Sequence, residues 1–298
     1  MLTSIRGLSA ATLLAGTAMI ATPALAADET AAIDTLDTQI VNVDLSDVAA
    51  AEVAPLNTGV IEVTRAALPI SDDASKVEGE SGFEFSGNVA LVSDYRFRGV
   101  SFSDGDIALQ GGIDLAHSSG LYVGTWASSI SGGSVYGELE LDVYGGWSGD
   151  LAEGVTFDIG LLYYIYPTEN ELANLAGVDT DYFEPYASVG FSLGPVSSTV
   201  GVAYAWDQDS LGGSDNLYIY TDFEYAIPET PLTLTAHAGY TDGVFATDLS
   251  GNSFDWGLGA SWAVTDSLSL GVNYVDTEGP AIEDFTDAGF FFTLGYSM

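Results

Sequence analysis

The sequence predicts an all-β protein, a transmembrane antiparallel up-and-down β-barrel of about 12 strands. Three observations lead there. From Phe83 onward apolar and polar residues alternate with period two. The alternating segments are longer than the strands of soluble sheets. The connections between them switch regularly between long and short.

The alternation is plain in "PLTLTAHAGYTDG", where Leu232, Leu234, Ala236, Ala238 and Tyr240 share one face and Thr233, Thr235, His237, Gly239 and Thr241 the other. In "SFDWGLGASWAV", Phe254, Trp256, Leu258, Ala260, Trp262 and Val264 lie opposite Asp255, Gly257, Gly259 and Ser261. Such a period is the strand signal. Segments of this kind cover 83–98, 106–117, 120–130, 135–147, 154–166, 182–193, 195–206, 215–227, 230–241, 253–264, 267–277 and 287–298. Soluble strands average about 5 to 6 residues, whereas a tilted strand that crosses a bilayer needs about 9 to 11.

The longer connections are "GVSFSDGD", "SSISGGS", "PTENELANLAGVDTD", "DQDSLGGS", "TDGVFATDLSGN" and "DTEGPAIEDFTD"; the shorter are "HSSG", "SGDLAE", "LGP", "IPETP" and "VTDS". A bacterial outer-membrane barrel has short turns at one end and longer loops at the other. The apolar faces carry aromatics near their ends, including Phe83, Tyr95, Trp147, Tyr163, Phe183, Tyr204, Trp206 and Trp262. Rims of this kind form interfacial girdles. The last segment, "GFFFTLGYSM", resembles the C-terminal strand of such barrels, with Met298 where an aromatic is usual.

What precedes the barrel differs in composition. "MLTSIRGLSAATLLAGTAMIATPALAA" has a charged start with Arg6, an apolar run and Ala24-Leu25-Ala26. It reads as a signal peptide, residues 1–26, cleaved on export. Residues 27–82 are acidic and without aromatics, which predicts a flexible extension. The alternative is a short strand pair or helix around Ile33 to Val53 docked on the barrel.

The net charge of -38 argues against nucleic acid as a partner, since phosphate binding needs Lys and Arg. The absence of cysteine removes disulfide and thiol chemistry. His117 and His237 read as interior hydrogen-bonding residues rather than metal ligands, and no cofactor is implied. Expected partners are outer-membrane lipid and lipopolysaccharide, the barrel-assembly machinery during insertion, and small solutes or cations.

If the apolar face meets lipid, the charges face the lumen. "SDYRFRG" holds Arg96 and Arg98, the only basic residues after Phe83. At i and i+2 of a strand they would share the lumen face, near the outer mouth. The same parity turns Asp114, Glu138, Glu140, Asp142, Asp158, Glu184, Asp222, Glu224 and Asp255 inward. Glu138, Glu140 and Asp142 are the expected partners of the arginines. Three readings stay open: ion pairs that brace the wall, a charged constriction that sorts solutes, or a ligand clamp. Small inward residues, among them Gly112, Gly124, Gly160, Gly190 and Gly201, permit close packing or leave room for water.

The run "SDYRFRGVSFSDGDIALQGGIDLAHSSGLYVGTWAS", 93–128, resembles the TorF-type porin family, the Gcw_chp proteins of proteobacterial outer membranes. The resemblance extends over roughly Phe83 to Met298. It implies an outer-membrane barrel and a channel, and carries over no catalytic or binding residue. The expected function is passive diffusion of small polar solutes or cations through an acidic lumen. The alternatives are a non-conducting barrel with a structural, adhesive or receptor role, a soluble periplasmic β-domain, and a barrel enzyme. A barrel hydrolase needs a nucleophile beside its histidine, and no such pattern surrounds His117 or His237.

Overall fold

The computed structural model describes residues 82–168 and 180–298. The signal peptide and nearly all of the acidic extension lie outside the described residues. The twelve wall strands are β1 (Phe83–Val92), β4 (Ala108–His117), β5 (Leu121–Gly132), β6 (Gly137–Ala152), β7 (Val155–Ile165), β8 (Tyr182–Leu193), β9 (Val196–Gln208), β10 (Ser214–Ala226), β11 (Leu232–Gly243), β12 (Asn252–Ala263), β13 (Leu268–Thr277) and β14 (Gly289–Ser297). Each pairs antiparallel with its neighbours in sequence, and β1 closes the barrel between β4 and β14. Closure leaves no open sheet edge, which a membrane barrel requires. Met298 exchanges backbone hydrogen bonds with Gly87 at 3.0 and 3.1 Å, so the chain end is stitched to the first strand.

The short turns, at 118–120, 153–154, 194–195, 227–231 and 264–267, gather at the end of the barrel that also holds Phe83 and Met298. The other connections gather at the opposite end; two of those expected to be long, "SSISGGS" and "DQDSLGGS", shrink to 133–136 and 209–213 because the flanking strands extend into them. Along the strands the outward residues are mostly apolar and many are large. Phe85, Leu109, Leu161, Val200, Phe223, Leu258 and Leu294 are all exposed on the outside. Exposed apolar surface on this scale is unstable in water and suits a lipid surround. On the outer face of the loop-side rim, Phe183 stacks on Tyr163 at 4.2 Å and lies parallel to Trp206 at 6.1 Å.

One segment departs from the sequence expectation. The first strand does not run through 98; it ends at Val92. Residues 93–107 leave the wall and fold into the lumen around a small hairpin of β2 (Arg96–Phe97) and β3 (Val100–Ser101). Its turn uses positive φ at Arg98 (46°) and Gly99 (81°). A side chain at Gly99 would run into Thr277, so both backbone and space favour glycine there. The Asp94 carboxylate holds the bend, accepting hydrogen bonds from Ser101 (2.5 Å) and Ser103 (3.3 Å), and Ser103 in turn accepts the Tyr95 backbone N–H at 2.8 Å. Tyr95 and Phe97, expected on the lipid face, are instead 2% exposed inside the barrel.

These rings join Val100 and Phe102 in a core with Trp126 of β5, Tyr144 of β6, Leu162 and Tyr164 of β7 and Tyr182 of β8. Phe245 and Phe285, from the loops after β11 and β13, close over it. The lumen is therefore packed at its loop end.

Candidate functional site

Inside the wall, tyrosines from one strand lie over glycines of the next. Tyr122 is registered opposite Gly146, Tyr144 opposite Gly124, Tyr186 opposite Gly160 and Tyr220 opposite Gly201. A Cβ on any of these glycines would collide with the facing ring. The glycines thus let bulky rings lie flat across the wall. The small inward residues serve close packing here.

The rings carry hydroxyls to the inward carboxylates. Tyr144 donates to Asp114 at 2.6 Å. Tyr122 donates to Asp158 at 2.6 Å, with the Tyr186 hydroxyl 2.5 Å from its own. Tyr95 donates to Glu140 at 3.2 Å and Tyr164 to Glu184 at 3.2 Å. A phenol that donates to a carboxylate satisfies it without a second charge. Burial, and next the Glu140 charge, push the Tyr95 hydroxyl well above its ordinary range, which keeps it a donor.

The two arginines part company. Arg96 pairs with Asp94 of its own bend, lies 3.5 Å from the Asp287 carboxylate and donates to the Asp287 carbonyl at 2.6 Å. It locks the hairpin to the loop before β14. Arg98 points the other way, where it pairs with Glu184 at 3.3 Å and lies over the Tyr218 ring at 3.8 Å. Both side chains of the Arg98–Glu184 pair are almost fully buried, at 3% and 0% exposure. The expected pairing of the arginines with Glu138, Glu140 and Asp142 is not found, because Arg98 is not on a strand and its left-handed φ redirects it toward β8. Glu140 and Asp142 do face inward and are buried, while Glu138 is exposed at the rim.

His237 forms a second centre. Its Nδ1 lies 2.6 Å from Asp222, and its Nε2 lies 3.0 Å from Asp255 and 2.8 Å from the Tyr218 hydroxyl. Tyr218 thus connects the ring under Arg98 to the histidine. His117 departs from its interior reading and is the last residue of β4, beside the turn, with Nδ1 2.8 Å from the Ser119 hydroxyl. Glu224 is half-buried toward the turn end, opposite Ser197 and Thr235.

The lumen residues thus divide by height. Arg98, Glu140, Asp142 and Glu184 belong to the packed loop end, whereas Asp114, Asp158, Asp222 and Glu224 are half-buried below it. Parity gives a carboxylate's face and not its depth, as the exposed Glu138 beside the buried Glu140 shows. The tyrosines were missed as partners, although the same parity turns Tyr122, Tyr144, Tyr164, Tyr186, Tyr218 and Tyr220 inward.

Among solved structures the chain is similar to the KdgM porin, with 7% identity over 71% of this chain and 97% of that one and a TM-score of 0.49. It is also similar to a NanC porin structure (10% identity, 72% and 98% coverage, TM-score 0.48). A third similarity is to the COG4313 outer membrane channel from Pseudomonas putida F1 (12% identity, 76% and 98% coverage, TM-score 0.42). No curated protein matches the chain. Residues 76–296 match the family described as "Bacterial protein of unknown function (Gcw_chp)". That match takes in the inward hairpin and all of the barrel but the last residue of β14, and the chain belongs to the Gcw_chp family.

Proposed function

We propose that this chain is a TorF-type porin of the outer membrane: a narrow channel that favours cations or small polar solutes. The observation that carries the reading is the file of half-buried carboxylates, Asp114, Asp158, Asp222 and Glu224, below a stopper made of the chain's own residues 93–107. Acidic walls in a low-dielectric tube concentrate cations, and a constriction above them discriminates by size and charge. The apolar outer face supports a place in the lipid of the outer membrane, with export by the N-terminal signal.

A second reading, a non-conducting barrel, is favoured by the complete burial of Tyr95, Phe97 and Val100 in the stopper. Planar-bilayer recording separates the two. A channel gives small steps whose reversal potential under a salt gradient favours cations, and replacing Tyr95 and Phe97 together by Gly enlarges the steps. Silence from the wild type and from a folded variant would establish the non-conducting barrel.

A further inference from the structure

Glu140 and Asp142 are 0% and 1% exposed, yet none of the ion pairs made by the described residues includes either of them. The two arginines are committed elsewhere. Tyr95 satisfies one oxygen of Glu140, but Glu140 Oε1 and Asp142 Oδ1 have no hydrogen-bond partner. Isolated buried carboxylates cost several kcal/mol each if left bare.

Two neutral oxygens next to them are also orphaned. The hydroxyls of Tyr166 and Tyr182 are buried without a partner. The register places these groups together. Asp142 is opposite Tyr164, and Tyr164 is opposite Tyr182 and stacked on it at 4.4 Å. Leu141 is opposite Ile165, which brings Glu140 alongside Tyr166. The Glu140 charge also acts on the Tyr166 hydroxyl, second only to burial in pushing it above its ordinary range. Two carboxylate and two phenolic oxygens on or next to three neighbouring strands therefore have their valences unused.

We propose that Glu140, Asp142, Tyr166 and Tyr182 form a binding site for one hard divalent cation of the calcium class. Two unpaired carboxylates match a double positive charge. Calcium accepts mixed anionic and neutral oxygens in loose geometry, whereas magnesium demands a strict octahedron and keeps its waters. No group of three or more His, Cys, Asp or Glu suited to a metal occurs among the described residues, so the site relies on phenolic oxygens and water to complete its shell. Because Tyr95 hydrogen-bonds to Glu140, an ion here would also pin the stopper to the wall. The site does not depend on conduction.

The test is calorimetric titration of the refolded full-length protein with Ca2+ after chelation, alongside Tb3+ luminescence sensitised by the neighbouring rings. The expected result is one tight site per barrel, with Tb3+ emission displaced by Ca2+. Glu140→Gln and Asp142→Asn should each weaken binding about tenfold or more, a loss of about 1.4 kcal/mol. Glu153→Gln, in an exposed turn, should leave it unchanged. Should the carboxylate variants fail to fold, Tyr166→Phe with Tyr182→Phe removes only the orphan hydroxyls and should still lower the affinity severalfold. Identical titrations in wild type and in all folded variants would mean surface-bound ions only and overturn the proposal, as would no binding at all, with the carboxylates neutralised by protons. Neither result touches the channel reading, which is measured separately.

Discussion

The two ends of the lumen solve the same problem differently. At the loop end the inward side chains are large and dry: Tyr95, Tyr164, Tyr182, Glu140 and Glu184 are all at or below 2% exposure. At the turn end the inward residues are small or polar and half-buried, among them Gly112, Asp158, Ser188, Thr199 and Asn273. A charge at the dry end needs a partner of opposite charge, as Glu184 has in Arg98. At the wet end a carboxylate can rely on a phenol and on water. Residues 93–107 fill the loop end against large wall side chains and under Phe245 and Phe285, while the strands of the wall pair continuously around the barrel.

The largest expected effect is at the dry end. Arg98→Gln leaves Glu184 buried without its ion-pair partner, and losing one member of a buried pair costs about 3–5 kcal/mol. Chemical unfolding in detergent or lipid should show that loss, while Glu224→Gln at the wet end should fall within about 0.5 kcal/mol of wild type. Equal effects would erase the contrast between the ends.

A smaller effect sharpens the picture at mid-height. Tyr122→Phe removes the donor to Asp158 and one partner of the Tyr186 hydroxyl. A typical net hydrogen bond contributes about 1 kcal/mol, so unfolding should shift by roughly that much. A loss as large as that of Arg98→Gln would extend the dry region down to Asp158.

How much of this could be read from the sequence follows from the physics of each feature. Alternation and the rhythm of the connections made the barrel legible, because a two-sided wall imposes period two and a membrane imposes strand length. The same rule misplaced Tyr95 and Phe97. Their spacing continues that of Phe83 to Leu91, and nothing in period two marks the point where a chain leaves the sheet. The mark is conformational: left-handed φ at Arg98 and Gly99, with Asp94 capping the bend. The face a carboxylate takes follows from parity, but its depth does not, as Glu138 at the exposed rim shows. Nor do its partners, because phenols donate across strands and register is needed to pair Tyr144 with Asp114 or Tyr164 with Glu184.

The central claim is a lumen stoppered at the loop end and open to water at the turn end. Because the natural chain has no cysteine, single thiols report accessibility without background. Ser128 on β5 is inward and 1% exposed, and Ser188 on β8 is inward and half-buried. With the protein folded in lipid vesicles that a small charged thiol reagent can reach from both sides, Ser188→Cys should label readily, while Ser128→Cys should stay unlabelled until the barrel is denatured. Equal, rapid labelling of both would contradict the account, for it would mean that water passes freely where residues 93–107 are placed as a seal.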